Sequence, residues 1–198
     1  MRRGGGCAAT DNMNNLQNIK VLAIDVDGVL TDGTISFDPS TNQEIKSFHV
    51  HDGLGISLWK KAGNEVILIG GRNSEAVSKR SDELGIQHVF QGSHDKIADL
   101  ECALNKIGAT PKQTAFIGDD LGDLPIMQHV GYAIAVNDAV DEIKNIANWV
   151  SPRIGGHGAV RDSIEHIMKN AGTWKFFSTT DHVESVHQEL SQDAKIEK

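Results

Sequence analysis

The chain has 198 residues, enough for one domain whose core needs neither disulfides nor metal. Its 19 basic and 27 acidic residues leave a net charge of −8, the opposite of the basic surface that nucleic-acid binders carry. No apolar run approaches the ~18 residues of a membrane span, no apolar segment near the N-terminus reads as a secretory signal, and Cys7 and Cys102 make no disulfide framework; a reduced, cytoplasmic protein is the expectation.

Residues 1–18 are rich in glycine and asparagine without periodicity and read as a flexible leader. Four short apolar runs follow, at 21–24, 65–69, 115–117 and 133–136, of the solid kind that parallel strands buried on both faces require. Helical patterns separate them at 54–61, 74–84, 96–107, 124–130, 140–146 and 159–168. This alternation predicts an α/β fold, a doubly wound parallel sheet of Rossmann-like type over residues 19–172. Residues 173–198 read as a polar tail interrupted by Trp174, Phe176 and Phe177.

One segment interrupts the alternation. The stretch from Gly28 to Gly53 far exceeds the ~2–6 residues of an ordinary βα loop. Residues 34–37 and 45–50 are strand-like, with turn residues 38–42 between them, which predicts a β-hairpin inserted after the first strand. Ligands of open α/β sheets bind at the carboxyl ends of the strands, so this hairpin should lie over the active site.

Asp25 and Asp27 follow the first strand, one residue apart, before Gly28. At a strand end Asp25 can serve as nucleophile and metal ligand, and Asp27 can exchange a proton with a leaving group. A second acidic group, Asp119, Asp120 and Asp123, follows the 115–117 strand. Three acids so close repel unless a cation holds them, and Mg²⁺ suits a few carboxylates with phosphate oxygens. Taken alone, the same acids also fit a solvated turn capping the helix that follows.

The pattern D-x-D-G-V-L-T from Asp25 and G-D-D-x-x-D from Gly118 resembles the haloacid dehalogenase superfamily of phosphatases. Further stretches, from Phe48 to Gly55, Gly71-Arg72, Gln91-Gly92 with Lys96, and Gly155 to Arg161, are similar to its 3-deoxy-D-manno-octulosonate 8-phosphate phosphatase branch. The resemblance implies a sheet of that superfamily's type without a separate cap domain. It implies Asp25 as nucleophile, Asp27 as general acid and then base, and Lys96 as the cation that neutralises the phosphoryl oxygens. Mg²⁺ would be held by Asp25, the main-chain carbonyl of Asp27, and Asp119. Substrate contacts would fall on His49, Val50, His51, Asp52, Gly53, Gly70, Gly71, Arg72, Arg80 and Arg161. The implied reaction is hydrolysis of an eight-carbon 2-keto-3-deoxy sugar acid phosphate on the route to the lipopolysaccharide inner core. A nine-carbon homologue as substrate, or a catalytically silent relative, are the alternatives.

Two positions depart from the branch. Gly70 stands where a threonine or serine closes the second strand, so a hydroxyl is lost while the N–H is expected to serve the phosphoryl group. His51 stands where arginine or lysine is usual, which makes charge there pH-dependent. A two-stranded ribbon is marginal alone, and alternation along 45–50 predicts an apolar face of Phe48 and Val50. A homotetramer joined by its hairpins, with neighbours completing each site, is therefore expected.

Overall fold

The computed structural model describes residues 16–177. A six-stranded parallel sheet has the order β5-β4-β1-β6-β7-β8, and a separate two-stranded ribbon is formed by β2 and β3. The sheet strands are β1 (Val21–Ile24), β4 (Glu65–Ile69), β5 (His88–Phe90), β6 (Thr114–Gly118), β7 (Tyr132–Ala135) and β8 (Trp149–Val150). The four interior strands match the predicted apolar runs to within a residue or two. β5 and β8 were not predicted, because edge strands this short carry no readable period. Short edges also limit pairing with other chains.

β1 is wholly buried because it pairs in parallel with β4 on one side and β6 on the other. The chain runs outward from β1 through β4 to β5, then returns to the far side of β1 at β6. This reversal makes the carboxyl ends of β1 and β6 the topological switch point, where an open sheet leaves a crevice for ligands.

The helices are α1 (Val50–Lys61), α2 (Glu75–Glu83), α3 (Lys96–Ile107), α4 (Leu124–His129), α5 (Asp141–Ile146) and α6 (Ala159–Asn170). Their contacts fall into two groups, α1 with α6, and α3 with α4 with α5, as right-handed crossovers on two faces require. Asp95 caps α3 by accepting from the N–H groups of Ile97 and Ala98, both at 3.1 Å. Leu100, Ala103 and Leu104 bury the inner face of α3, leaving Cys102 exposed.

The hairpin corrects one expectation. β2 is Ser36–Phe37 and β3 only Glu44–Ile45; the chain does not stay extended to Val50. His49 instead caps α1, its ring Nδ1 accepting from the His51 N–H at 3.2 Å, and the helix starts at Val50 rather than Leu54. An acidic side chain in the first turn, Asp52, favours that start. Phe48 consequently packs on the core, and Val50 is on a helix; the exposed apolar side chains of this region are Ile35, Phe37, Ile45 and Val50.

Part of each expected end lies among the described residues. Leu16 is buried in the core, and Trp174 and Phe177 pack against it. The rest of the predicted leader and tail, 1–15 and 178–198, lies outside the described residues.

Candidate active site

β1 delivers Asp25 to the switch point, and the Asp25 N–H donates to the Ile117 carbonyl at 3.0 Å, extending the β1–β6 pairing by one residue. A wide turn over Val26–Leu30 follows, closed by the Thr31 N–H on the Val26 carbonyl at 3.0 Å. Gly28 has a φ of +93° within it, and a Cβ there would lie 2.1 Å from Asp119 Oδ2. Only glycine lets the turn pass so close to that carboxylate. The Gly155–Gly156 loop backs the turn from behind: a Cβ on Gly155 would sit 1.7 Å from the Gly28 carbonyl oxygen, and the Gly156 N–H donates to Val29 at 2.9 Å.

Asp119 and Asp123 follow β6. Asp123 is buried, its Oδ2 accepting from the Asp119 N–H at 3.0 Å. Its Oδ1 accepts from Lys96 Nζ at 2.6 Å, and the same ammonium donates to Asp25 Oδ1 at 2.5 Å. Ligand oxygens of Asp25, Asp119 and Asp123 all lie within 4.8 Å of one another. Burial, and then the negative charge of Asp123, push the Asp25 carboxyl up to about 7 although Lys96 pulls the other way. Burial and the neighbouring Asp25 and Asp123 push Asp119 up to about 8. Burial opposes the charge of Lys96, but Asp25 and Asp123 outweigh it and hold the ammonium above its ordinary range.

The hairpin reaches Asp27. Lys46 Nζ donates to Asp27 Oδ1 and lies 3.5 Å from Glu44 Oε2, while Glu44 Oε1 accepts from Arg72 at 2.9 Å. The remaining expected contacts are placed less uniformly. His49 and the exposed Val50 and His51 open α1. Asp52 is turned inward: it is buried, and its Oδ1 accepts from the Arg161 N–H at 2.7 Å, so it anchors the N-terminal turn of α6. A Cβ on Gly53 would lie 2.2 Å from Arg80 Nη2, so the guanidinium rests on that glycine while its Nη1 meets Glu83 at 3.1 Å. Arg161 extends along α6 to Glu165 at 2.6 Å and over the Trp174 ring at 5.1 Å. The Gly70 N–H is not free for a phosphoryl group, since it donates to the Phe90 carbonyl at 2.8 Å; Gly71, exposed at the strand end, carries the next N–H.

A family model described as haloacid dehalogenase-like hydrolase matches residues 81–161. The chain is 38% identical over 167 residues to 3-deoxy-D-manno-octulosonate 8-phosphate phosphatase of Escherichia coli, covering 84% of this chain and 88% of that one. It belongs to the haloacid dehalogenase-like hydrolases. The Haemophilus influenzae phosphatase of the same name is 40% identical over 164 residues, with 83% and 91% covered. Among solved structures, the Moraxella catarrhalis phosphatase in complex with magnesium, phosphate and 3-deoxy-D-manno-octulosonate superposes with a TM-score of 0.81 at 36% identity, covering 85% of this chain and 96% of that one. The cobalt-bound Haemophilus influenzae structure has a TM-score of 0.81 at 39% identity, with 85% and 98% covered.

In this family setting, the donor set fits a hard divalent cation. Three crowded carboxylates surround one ammonium, and two of them are driven toward protonation by burial and then by the charge of their neighbours, a conflict that a cation resolves. Asp25 and Asp119 would hold it with the Asp27 carbonyl, as the motif predicts, and Asp123 stands within reach. The acidic group read from the sequence as a cation site includes Asp123, without a role separate from its neighbours; the structure adds its hold on Lys96 and on the Asp119 N–H. Lys46 is the residue of this haloacid dehalogenase-like site that the sequence reading missed. It gave no signal, since a lysine on a hairpin reads as a solvated side chain.

Proposed function

We propose that this chain is a Mg²⁺-dependent phosphatase that hydrolyses 3-deoxy-D-manno-octulosonate 8-phosphate to the free sugar acid and phosphate, supplying the lipopolysaccharide inner core. The observation that carries the reading is the joining of Asp25, Asp119, Asp123 and Lys96 at the switch point, in a chain whose relatives bear that activity. An Asp25 carboxylate oxygen attacks phosphorus, and the bond from phosphorus to the sugar oxygen breaks. The electron pair of that bond stays on the sugar oxygen, which takes a proton from Asp27. Water then attacks the aspartyl phosphate and yields a proton to Asp27; the Asp25–phosphorus bond breaks and the carboxylate is regenerated. Lys96 offsets charge on the phosphoryl oxygens throughout, since phosphoryl transfer is mainly positioning and charge neutralisation. Bound Mg²⁺ supplies further positive charge at those oxygens and keeps the carboxylates ionised.

Substrate recognition is assigned to His49, His51, Gly53, Gly71, Arg72 and Arg80. Exposed Ile35, Phe37 and Ile45 on the hairpin support assembly into a homotetramer whose neighbours complete each site, and an exposed free thiol at Cys102 suits a reducing cytoplasm. Phosphate release from a panel of sugar phosphates, with and without Mg²⁺, tests the reading. The eight-carbon acid phosphate should be hydrolysed best and only with Mg²⁺. Preference for the nine-carbon homologue would reassign the substrate, and no release from any ester would make the chain a silent relative. Phe37→Asp should give monomers by light scattering; an unaltered tetramer would remove the hairpin from the interface.

A further inference from the structure

We infer that Lys46, carried in by the hairpin, is a positioning residue for Asp27; the inference rests on the phosphatase reading above. Its ammonium meets the Asp27 Oδ1 oxygen directly, and its side chain is only 2% exposed. Burying a lysine is costly unless a charged partner and good geometry repay it, so this placement is specific rather than incidental. Glu44 lies two residues earlier, its Oε2 3.5 Å from the same ammonium and its Oε1 held by Arg72 at 2.9 Å. The chain Arg72–Glu44–Lys46–Asp27 therefore ties the end of β4 to the turn after β1 across the base of the ribbon. Glu44 is itself mostly covered, with an Oε2 that has no hydrogen-bond donor among the described residues, so the ammonium is the positive group that sits beside it.

A carboxyl group offers two oxygens. With Oδ1 taken by Lys46, the other oxygen is left to exchange a proton with the sugar oxygen, and rotation of the Asp27 side chain is restrained. Asp27 has need of such restraint: its backbone lies in a turn beside Gly28, its side chain is partly exposed, and among the described residues its ion pair is with Lys46. Nothing comparable is required at Asp25, which Lys96 holds. The hairpin thus contributes to the proton transfer within its own chain, in addition to any part in assembly.

The effect of Lys46 should depend on how much the leaving group needs a proton. An alkyl phosphate such as a sugar phosphate departs as a strongly basic alkoxide, whereas p-nitrophenolate leaves unprotonated. Because kcat/KM reports events up to the first phosphoryl transfer, the ratio of alkyl to aryl kcat/KM isolates the acid step. Lys46→Met should lower that ratio about ten-fold or more, a fraction of what a whole general acid contributes. Lys46→Gln, which keeps an N–H donor for Asp27 and removes the charge, should fall between it and the wild type. Equal loss of both esters would mean that Lys46 serves the fold or binds phosphate, and an unaltered ratio that Asp27 needs no positioning; either overturns the inference while leaving the phosphatase intact. A wild-type chain that hydrolyses neither ester with Mg²⁺ would instead overturn the underlying function.

Discussion

The two sides of the crevice are held in different ways. On the side of β1, β6 and α3, Asp25 and Asp123 are buried, and one ammonium reaches both. Asp25, Asp123 and Lys96 are partners of one another, on elements fixed by the sheet. On the side of the hairpin, α1 and α6, each arginine expected to meet the substrate is tied to a nearby glutamate instead: Arg72 to Glu44, Arg80 to Glu83, Arg161 to Glu165. His51 and Val50 face solvent. On the proposed reading, the groups for phosphoryl transfer are brought together within one chain, whereas the arginines for recognition are engaged by glutamates and have to rearrange when substrate arrives. Such a division follows from what the halves must do. Transfer needs groups fixed before the reaction starts, whereas recognition can use contacts made on binding.

The comparison breaks most visibly at Asp25. Asp25→Asn should reduce turnover by at least ~1,000-fold, the scale on which a lost covalent nucleophile acts, and should prevent trapping of phosphate on the chain. Its Tm should match or exceed the wild type, because the change removes a buried carboxylate from beside Asp123. Turnover above a tenth of wild type would dismiss Asp25 as nucleophile.

The same crowding makes stability depend on pH and metal. The folded chain binds protons at Asp25 and Asp119 more tightly than the unfolded chain, with values of about 7 and about 8 against 3.8. Between those limits the native state holds the extra protons, so metal-free stability should fall as pH rises from 4 to 8. A single unit of differential affinity is about 1.4 kcal/mol, or roughly 3–6 °C in Tm for a chain of this size. Mg²⁺ should abolish most of the fall. A metal-free melting temperature that rises across this window would contradict the crowded-carboxylate description.

On the other side of the crevice, Asp52 separates support from recognition. Asp52→Ala leaves the Arg161 N–H without its acceptor in the first turn of α6, a loss of about 1–2 kcal/mol as for other helix caps. Asp52→Asn keeps an acceptor oxygen and should lose less, with KM for the sugar phosphate within about two-fold of wild type, below the range of even one lost hydrogen bond. A large rise in KM for Asn at unchanged Tm would return Asp52 to the substrate.

How far each side could be read in the sequence follows from the range of the interactions that build it. β1 and β6 are solid apolar runs because parallel strands bury both faces, and Asp25 and Asp119 sit at their ends, so strand and carboxylate are legible together. The segment after Ile45 was misread, since alternating Phe48, His49, Val50 and His51 satisfies a strand period. What decides the matter is the cap at His49 and the anchoring of Asp52 to Arg161, 109 residues away. Lys46 was illegible for the same reason: its partner Asp27 is reached only through the folding back of the ribbon. Gly70 was noticed as a departure, but the engagement of its N–H by Phe90 depends on the β4–β5 pairing, and β5 left no signal.

Gly70 gives the finest test of how the chemical side is packed. Its φ is not among the positive ones, so serine can adopt the backbone. The obstacle is space: a Cβ would lie 3.1 Å from Val26 Cγ2 and 3.2 Å from Val26 Cβ. Val26 is buried in the turn that carries Asp27, so any relief there moves the group proposed to transfer the proton. A new hydroxyl hydrogen bond to the charged phosphoryl group is worth at most about 1.5–3 kcal/mol, roughly ten-fold to a little over a hundred-fold in rate. The shift at Val26 acts against it. Gly70→Ser should therefore change kcat less than about ten-fold and lower Tm, while Gly70→Ser combined with Val26→Ala, which removes the nearer pressed atom, Cγ2, and leaves Cβ, should be the faster of the two. If the single variant already gains the full hydroxyl increment with an unchanged Tm, the turn after β1 yields more easily than its packing implies, and the chemical side is less rigid than the carboxylate cluster indicates.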